Sequence, residues 1–241
     1  MPKLMPRFNL NPVFKHWEKY DNIFIISDTH FGDIVTDTVN GNDYREKNTG
    51  IKTPTIDEQV VKINKICHKN DLLVILGDIG YLLPISKLKA GYKVLVMGNH
   101  DQGKSNYERI NGPFVDNRLF DEVWPGICPI RPDIVLSHEP YDSKYCLNIH
   151  GHDHNCQLMK DLIKEKEIKP ENYFEEQLNY CKANKFYYLN VCSEWVNYEP
   201  INLKKIIKSG ILKEIPNIHR EAIDKQIENP IHKSTKLIDE V

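Results

Sequence analysis

Residues 94–101 read Val-Leu-Val-Met-Gly-Asn-His-Asp: four apolar residues, then a glycine, then three polar residues able to bind a proton or a metal. A short continuous run of Val and Leu is the pattern of a strand buried on both faces. Gly98 allows a tight turn where the run ends. Working outward in both directions, the same arrangement recurs. Upstream, Ile23–Ile26 leads into Ser27-Asp28-Thr29-His30, and Leu72–Leu76 leads into Gly77-Asp78. Downstream, Ile134–Leu136 leads into Ser137-His138, and Cys146–Ile149 leads into His150-Gly151-His152-Asp153-His154. Phe186–Val191 is a further run of the same kind. In an open α/β sheet the carboxyl ends of parallel strands converge on one edge, where ligands bind. Residues distant in sequence are therefore expected to meet in one cleft.

Helical segments lie between the strands. After Pro54, Thr55 and Glu58 form a capping-box pair, and Ile56, Val60, Ile63 and Cys67 fall on one helical face. A short helix is expected near Ile85–Lys89. Residues 156–184 are polar and helix-prone, with an interruption at Pro170. Asn202–Lys208 reads as another helix with Gly210 as its stop. A last helix is expected around Asn217–Glu228, ending before Pro230 and followed by a polar tail. Strands alternating with helices predict an α/β layered fold. The domain reading is a single domain over 1–241, with a motif-bearing core over 21–154, a helical insertion over 155–184 and a peripheral C-terminal segment over 213–241.

Composition narrows the class. Of 241 residues, 40% are hydrophobic and 27% charged, which excludes wholesale disorder and fibrous repeats. Thirty-two Lys and Arg against 34 Asp and Glu leave a net charge of −2, with no basic excess of the kind that coats nucleic acid. No apolar run reaches the ~18 residues of a membrane helix, and the first 22 residues lack the apolar core of a signal peptide. Six cysteines without a CxxC pair read as reduced thiols, and the expected setting is cytoplasmic. Cys67, Cys128, Cys146 and Cys192 lie in or beside apolar runs and are expected to pack as small hydrophobes. Cys156 follows a histidine by two positions, but zinc-thiolate sites usually bring paired cysteines.

Five strands thus end in Asp, His or Asn. Asp28 and His30 are two apart, as are His152 and His154, so in extended backbone each pair points one way. Oxygen and imidazole ligands without thiolate suit Mn, Fe, Zn, Co or Ni. Seven or more ligands exceed what one four- to six-coordinate ion needs, and suit two. The ordered blocks D-x-H, G-D, G-N-H-D, a lone His and G-H-x-H, from Asp28 to His154, resemble the signature of the calcineurin-like metallophosphoesterase superfamily, in particular its small phage and bacterial phosphoesterases. The resemblance implies a four-layer α/β/β/α sandwich with two divalent metal ions at the sheet edge. It also implies that Asp28, His30, Asp78 and His154 hold one ion, and Asp78, Asn99, His138 and His152 the other. His100 would then face the leaving group and Asp101 would orient it.

The expected activity is hydrolysis of a small phosphoester or nucleotide, by a phosphatase or phosphodiesterase, with a metal-bridging hydroxide attacking phosphorus in line. A nuclease of the same superfamily and a catalytically silent binding module are the alternatives. Two ions bring +4 and the two aspartates return −2, so with a hydroxide the site stays near +1 and attracts phosphate. His100, with an ordinary pKa near 6.5, is suited to protonating a leaving alkoxide.

Other residues are expected in lesser roles. His150 alternates with His152 and His154 and takes either a structural or a substrate-edge place. Asp153 points away from the cleft, and Glu139 before Pro140 reads as a turn residue. His16, His68, His219 and His232 belong to no ligand block and read as satisfied polar residues. The polar stretch Phe31–Thr53 contains Asn40, Asn42, Tyr44, Arg45 and Lys47. Arg45 there either forks onto a phosphate oxygen or belongs to a solvated loop. The 155–184 insertion, with Tyr173, Phe174 and Tyr180, reads as a lid, an oligomer contact or plain packing. Beyond it, Asn190-Val191-Cys192-Ser193-Glu194 with Tyr198-Glu199-Pro200-Ile201 resembles the final strand of small phage and bacterial phosphoesterases.

Overall fold

The computed structural model describes residues 8–32, 44–50, 52–101, 119–142 and 144–216. The helix expected at Asn217–Glu228 and its tail, His219, His232, Asn40, Asn42 and the side chains of Tyr44 and Lys47 lie outside them.

Two sheets form the centre. Strands β1 (Ile23–Ile26), β2 (Leu72–Ile75), β3 (Tyr92–Val96) and β4 (Glu122–Trp124) run parallel, and β9 (Ile201–Asn202) closes the β1 edge antiparallel, in the order β4-β3-β2-β1-β9. The second sheet has the order β5-β6-β7-β8. Here β6 (Ile134–Ser137), β7 (Leu147–His150) and β8 (Tyr188–Asn190) are parallel, and β5 (Cys128–Arg131) pairs antiparallel with β6. Every residue of β1, β2, β6 and β7 is buried, as continuous apolar runs require. One hydrophobic core runs through residues of both sheets, from Ile25 and Val74 to Leu136 and Ile149. The architecture is mixed α/β, with central sheets flanked by helices.

Helix α1 (Tyr44–Thr49) precedes α2 (Ile56–Ile66). At the start of α2 the Thr55 hydroxyl accepts from the Glu58 N–H at 3.3 Å, and the Glu58 carboxylate accepts from the Thr55 N–H at 2.8 Å. The expected capping box is therefore closed in both directions, and Val60 and Ile63 face the core. Thr55→Ala removes one partner. It is expected to lower the melting temperature by roughly 2–4 °C, read by calorimetry, with no change in the site.

The helix expected near Ile85–Lys89 is instead a single 3-10 stretch over Leu83–Lys87. Pro84 fits the first turn, but the chain must extend again at Leu88 to reach β3. The insertion forms two helices, α3 (Gln157–Lys166) and α4 (Tyr173–Asn184), with Pro170 opening a 3-10 turn between them. Their apolar faces supply Met159, Leu162 and Tyr173 to a second, smaller core that contains Cys156, Cys192 and Trp195. Cys156 packs there as a hydrophobe, its thiol pushed up to about 11 by burial. Helix α5 (Leu203–Lys208) is capped by the Asn202 side chain, which accepts from the Lys204 N–H at 2.8 Å. Gly210, at φ +85°, ends the run as expected.

Sequence patterning missed β4, β5 and a 3-10 helix over Pro12–Lys19, while β9 begins at Ile201, where the stretch resembling a final strand ends. Tertiary contacts hold that N-terminal helix. The Glu122 carboxylate accepts from Trp17 Nε1 at 3.0 Å, the Tyr92 hydroxyl at 2.7 Å and Trp124 Nε1 at 2.9 Å, and also pairs with His16.

Candidate metal centre

Between β1 and β8 the two sheets are stitched together at their carboxyl ends. The chain after β8 pairs with the chain after β1: Ser27 N–H donates to Val191 C=O, and Ser193 N–H donates to Ser27 C=O, both at 2.9 Å. The His152 N–H reaches across to Asp28 Oδ2 at 2.8 Å. This seam brings the polar ends of β1, β2, β3, β6 and β7 to one edge.

Here the backbone is not extended. Of nine non-glycine residues with positive φ among the described residues, four are Asp28 (+54°), His30 (+39°), Asp78 (+50°) and His152 (+66°). Left-handed backbone costs such residues of order 1–3 kcal/mol each and concentrates at functional sites. It also corrects the alternation argument. His152 and His154 do not face one way: His152 Nδ1 lies 3.2 Å from His138 Nε2, whereas His154 Nε2 lies 3.2 Å from His30 Nε2.

Two groups of ligand atoms result. In the first, Asp28 Oδ1 is 3.3 Å from His154 Nε2 and 3.9 Å from His30 Nε2, and Asp78 Oδ2 is 3.8 Å from His30 Nε2. In the second, the Asn99 side-chain oxygen is 2.8 Å from His138 Nε2 and 3.1 Å from His152 Nδ1, and Asp78 Oδ2 is 3.5 Å from His138 Nε2. One oxygen of Asp78 therefore faces both groups. Its other oxygen accepts from the His100 N–H at 2.9 Å, which fixes the carboxylate. Neighbouring ligand atoms of one ion lie ~3.0–3.4 Å apart. Asn99–His152, His138–His152, His30–His154 and Asp28–His154 fall in that range, and Asn99–His138 is shorter. The spacings of Asp78 to both histidines and of Asp28 to His30 are wider, at 3.5–3.9 Å.

Asp28 provides the sharper test of fit. Its Oδ2 accepts from Ser27 Oγ and His152 N–H, while its Oδ1 is buried with no hydrogen-bond partner. A buried orphan carboxylate oxygen is costly unless a cation meets it. Burial alone would push the Asp28 carboxyl up, but the imidazoles of His154, His138 and His30 outweigh it and hold the group far below the carboxylate range. His154 shows the converse. Burial opposes its charge, yet Glu194 and Asp28 prevail and push it up to about 11. Two carboxylates against one ring, Asp28 at 3.3 Å and Glu194 at 2.6 Å, make a place for positive charge.

Neighbouring groups turn the histidines. His138 Nδ1 is 2.7 Å from Leu76 C=O, which leaves Nε2 to face the centre. His154 Nδ1 is 2.6 Å from the fully buried Glu194 carboxylate, which likewise leaves Nε2 inward. Sequence reasoning missed Glu194: it lies 40 residues beyond His154, and the only signal was the segment Asn190–Glu194 at the end of the last parallel strand. It also took Cys192 as a hydrophobe. The thiol does pack against Trp195, but it also donates to Asp28 Oδ2 at 3.3 Å, and Asp28, His154 and Cys192 form a third group able to hold a metal. Burial, with Asp28 beside it, keeps this thiol well above its usual range, so it serves as a donor to Asp28.

The remaining expected residues divide. His100 sits at the rim with its side chain 53% exposed, Nε2 3.9 Å from Asp78 Oδ2. Asp101 does not reach for that imidazole. Its carboxylate accepts the backbone N–H groups of Asp78 and Gly98, each at 2.8 Å, and of Ile79 at 3.2 Å. It thus braces the two ligand loops and does not orient His100. Arg45 is buried, Nη1 donating at 3.3 Å to the C=O of Thr29, which lies between the ligand residues Asp28 and His30, so the solvated-loop place does not describe it. His150 is buried with Nδ1 2.8 Å from Gly151 C=O, and burial lowers its pKa, which places it on the structural side.

A mixed α/β frame whose strand ends gather two ligand groups around a shared carboxylate defines a metal-dependent hydrolase with a dinuclear centre. The chain belongs to the calcineurin-like phosphoesterase family, whose model matches residues 22–180. Among solved structures it is similar to the protein of unknown function AQ665 from Aquifex aeolicus, at 22% identity over 78% of this chain and 98% of that one, with a TM-score of 0.48. It is also similar to the Pseudomonas putida nuclease MPE, at 18% identity over 54% of this chain and 60% of that one, with a TM-score of 0.34. No curated protein matches. Among the described residues, no helix is long and apolar enough to cross a membrane.

Proposed function

We propose that the chain hydrolyses small phosphoesters or nucleotides, with Asp28, His30, Asp78 and His154 holding one divalent ion and Asp78, Asn99, His138 and His152 the other. The observation that carries this reading is Asp78 Oδ2, 3.8 Å from His30 Nε2 on one side and 3.5 Å from His138 Nε2 on the other. A pair of divalent ions so held supplies charge for a phosphate and acidifies water at neutral pH. The chain's own residues do the rest. Asn99 contributes a neutral oxygen, which keeps the centre net positive. Leu76 and Glu194 fix the rings of His138 and His154, and Asp101 holds the loops bearing Asp78 and Asn99 in register. His100, exposed at the rim beside Asp78, is placed to give a proton to the departing oxygen.

His100→Gln tests the last role. Turnover of a diphenyl phosphate, whose leaving group needs a proton, is expected to fall ~10²–10⁴-fold. Turnover of bis(p-nitrophenyl) phosphate, whose leaving group does not, should fall far less. Equal losses on both esters would assign His100 to substrate binding instead. The same reading takes 1–241 as one domain, supported by the core that runs through both sheets. It places the protein in a reducing, cytoplasmic setting, supported by six buried free thiols.

A further inference from the structure

We infer that a groove beside His138 receives the ester group of the substrate and selects a planar aromatic one. This rests on the hydrolase reading above and adds a substrate class to it. The groove has a volume of ≈ 330 Å³, and its wall includes His138, a member of the Asn99–His138–His152 group, and Met97, two residues before Asn99. One wall is the turn between β4 and β5, Pro125-Gly126-Ile127, and the other is the loop after β6, ending in Pro140-Tyr141. Met97 lies between them.

Three features fit a ring. Met97, Pro125, Ile127, Pro140 and Tyr141 give the groove an apolar side, opposite the polar Ser137, His138 and Glu139, and the size is at the lower bound of small-molecule sites, which suits one ring system better than a large ligand. Ile127 and Tyr141 are 46% and 43% exposed, two of the few large apolar side chains that the described surface leaves open. The walls are also set in advance. Asn148, buried in β7, accepts from the Tyr141 N–H at 2.7 Å and donates to Ser137 Oγ at 2.8 Å, while Ser137 Oγ donates to Glu139 C=O at 2.6 Å. On the other side, the Met97 N–H donates to Trp124 C=O at 2.8 Å and ties the floor to the first wall. A rigid slot loses little on binding, and a tyrosine face rewards an aromatic ring over a methyl group.

The test is binding of phenylphosphonate and methylphosphonate to the Mn²⁺-loaded protein by titration calorimetry, beside turnover of bis(p-nitrophenyl) phosphate. Phenylphosphonate is expected to bind at least ten times more tightly. In an Ile127→Ser/Tyr141→Ala double variant that preference should shrink roughly tenfold. Both positions are exposed, so the fold should stand, and an unchanged melting temperature checks it. If the protein turns over the diester but binds both phosphonates alike, or keeps its preference in the double variant, the groove is not the selector and the hydrolase reading stands. If no phosphoester is turned over, the hydrolase reading fails and the groove assignment fails with it.

Discussion

Asp78→Asn is expected to lower turnover of bis(p-nitrophenyl) phosphate by about 10³-fold or more and to leave the purified protein with fewer than two equivalents of metal. The substitution preserves shape, so the loss isolates one atom. Asp78 Oδ1 accepts from the His100 N–H at 2.9 Å, and an asparagine oxygen meets that demand equally well. The amide nitrogen must then occupy the position of Oδ2, between His30 Nε2 and His138 Nε2. A donor replaces an acceptor at the point shared by both ligand groups, and one negative charge leaves the centre. A loss of about 4 kcal/mol of charge stabilisation corresponds to ~10³ in rate. Elemental analysis and initial rates read the two effects separately, and calorimetry checks that the fold persists. Two full equivalents of metal with wild-type rates would remove Asp78 from the bridging place and with it the dinuclear reading.

The ligand blocks were legible because each sits one or two residues past a fully buried apolar run, so that strand recognition and site recognition were one act. Asp28, Asp78, Asn99 and His138 needed only the rule that parallel strands end on a common edge. What stayed hidden depends on closure between distant segments. Glu194 acquires its role only when the chain after β8 pairs with the chain after β1, and Cys192 is a plain apolar-run cysteine until that seam brings it to Asp28. Arg45 illustrates the opposite error. A polar loop predicts exposure, but the guanidinium is drawn inward to a carbonyl between two ligand residues. The left-handed turns at Asp28, His30, Asp78 and His152 were likewise invisible, because none of these is a glycine, the residue that ordinarily announces such backbone. Strand β4 was missed for lack of signal: three half-buried residues carry no periodicity.

The second large effect is expected from a methyl group. In Gly151→Ala the added Cβ would stand 1.9 Å from Ser27 Oγ and 2.1 Å from Asp28 Oδ2. Neither neighbour is a flexible tip. Ser27 and Asp28 are fully buried, and the serine hydroxyl donates to both Leu76 C=O at 2.7 Å and Asp28 Oδ2 at 2.5 Å. Gly151 itself is held by its N–H, which donates to His138 C=O at 2.9 Å, and the next residue is held by the His152 N–H on Asp28 Oδ2. The methyl group must therefore part the two sheets at the seam or rotate the Asp28 carboxylate, and in either case Oδ1 leaves its position against His30 and His154. Overpacking of this kind costs about 1–3 kcal/mol, a fall of roughly 2–12 °C in melting temperature for a chain of this size. Metal on the Asp28 side should be lost together with activity, while the Asn99–His138–His152 group keeps its ion. Gly126→Ala is the matched control: a Cβ there meets nothing within 4 Å, and stability and metal content should not move. A Gly151→Ala protein that melts with the wild type and carries both ions would mean that the seam has slack, and that Asp28 is held by something other than the contact between the two sheets.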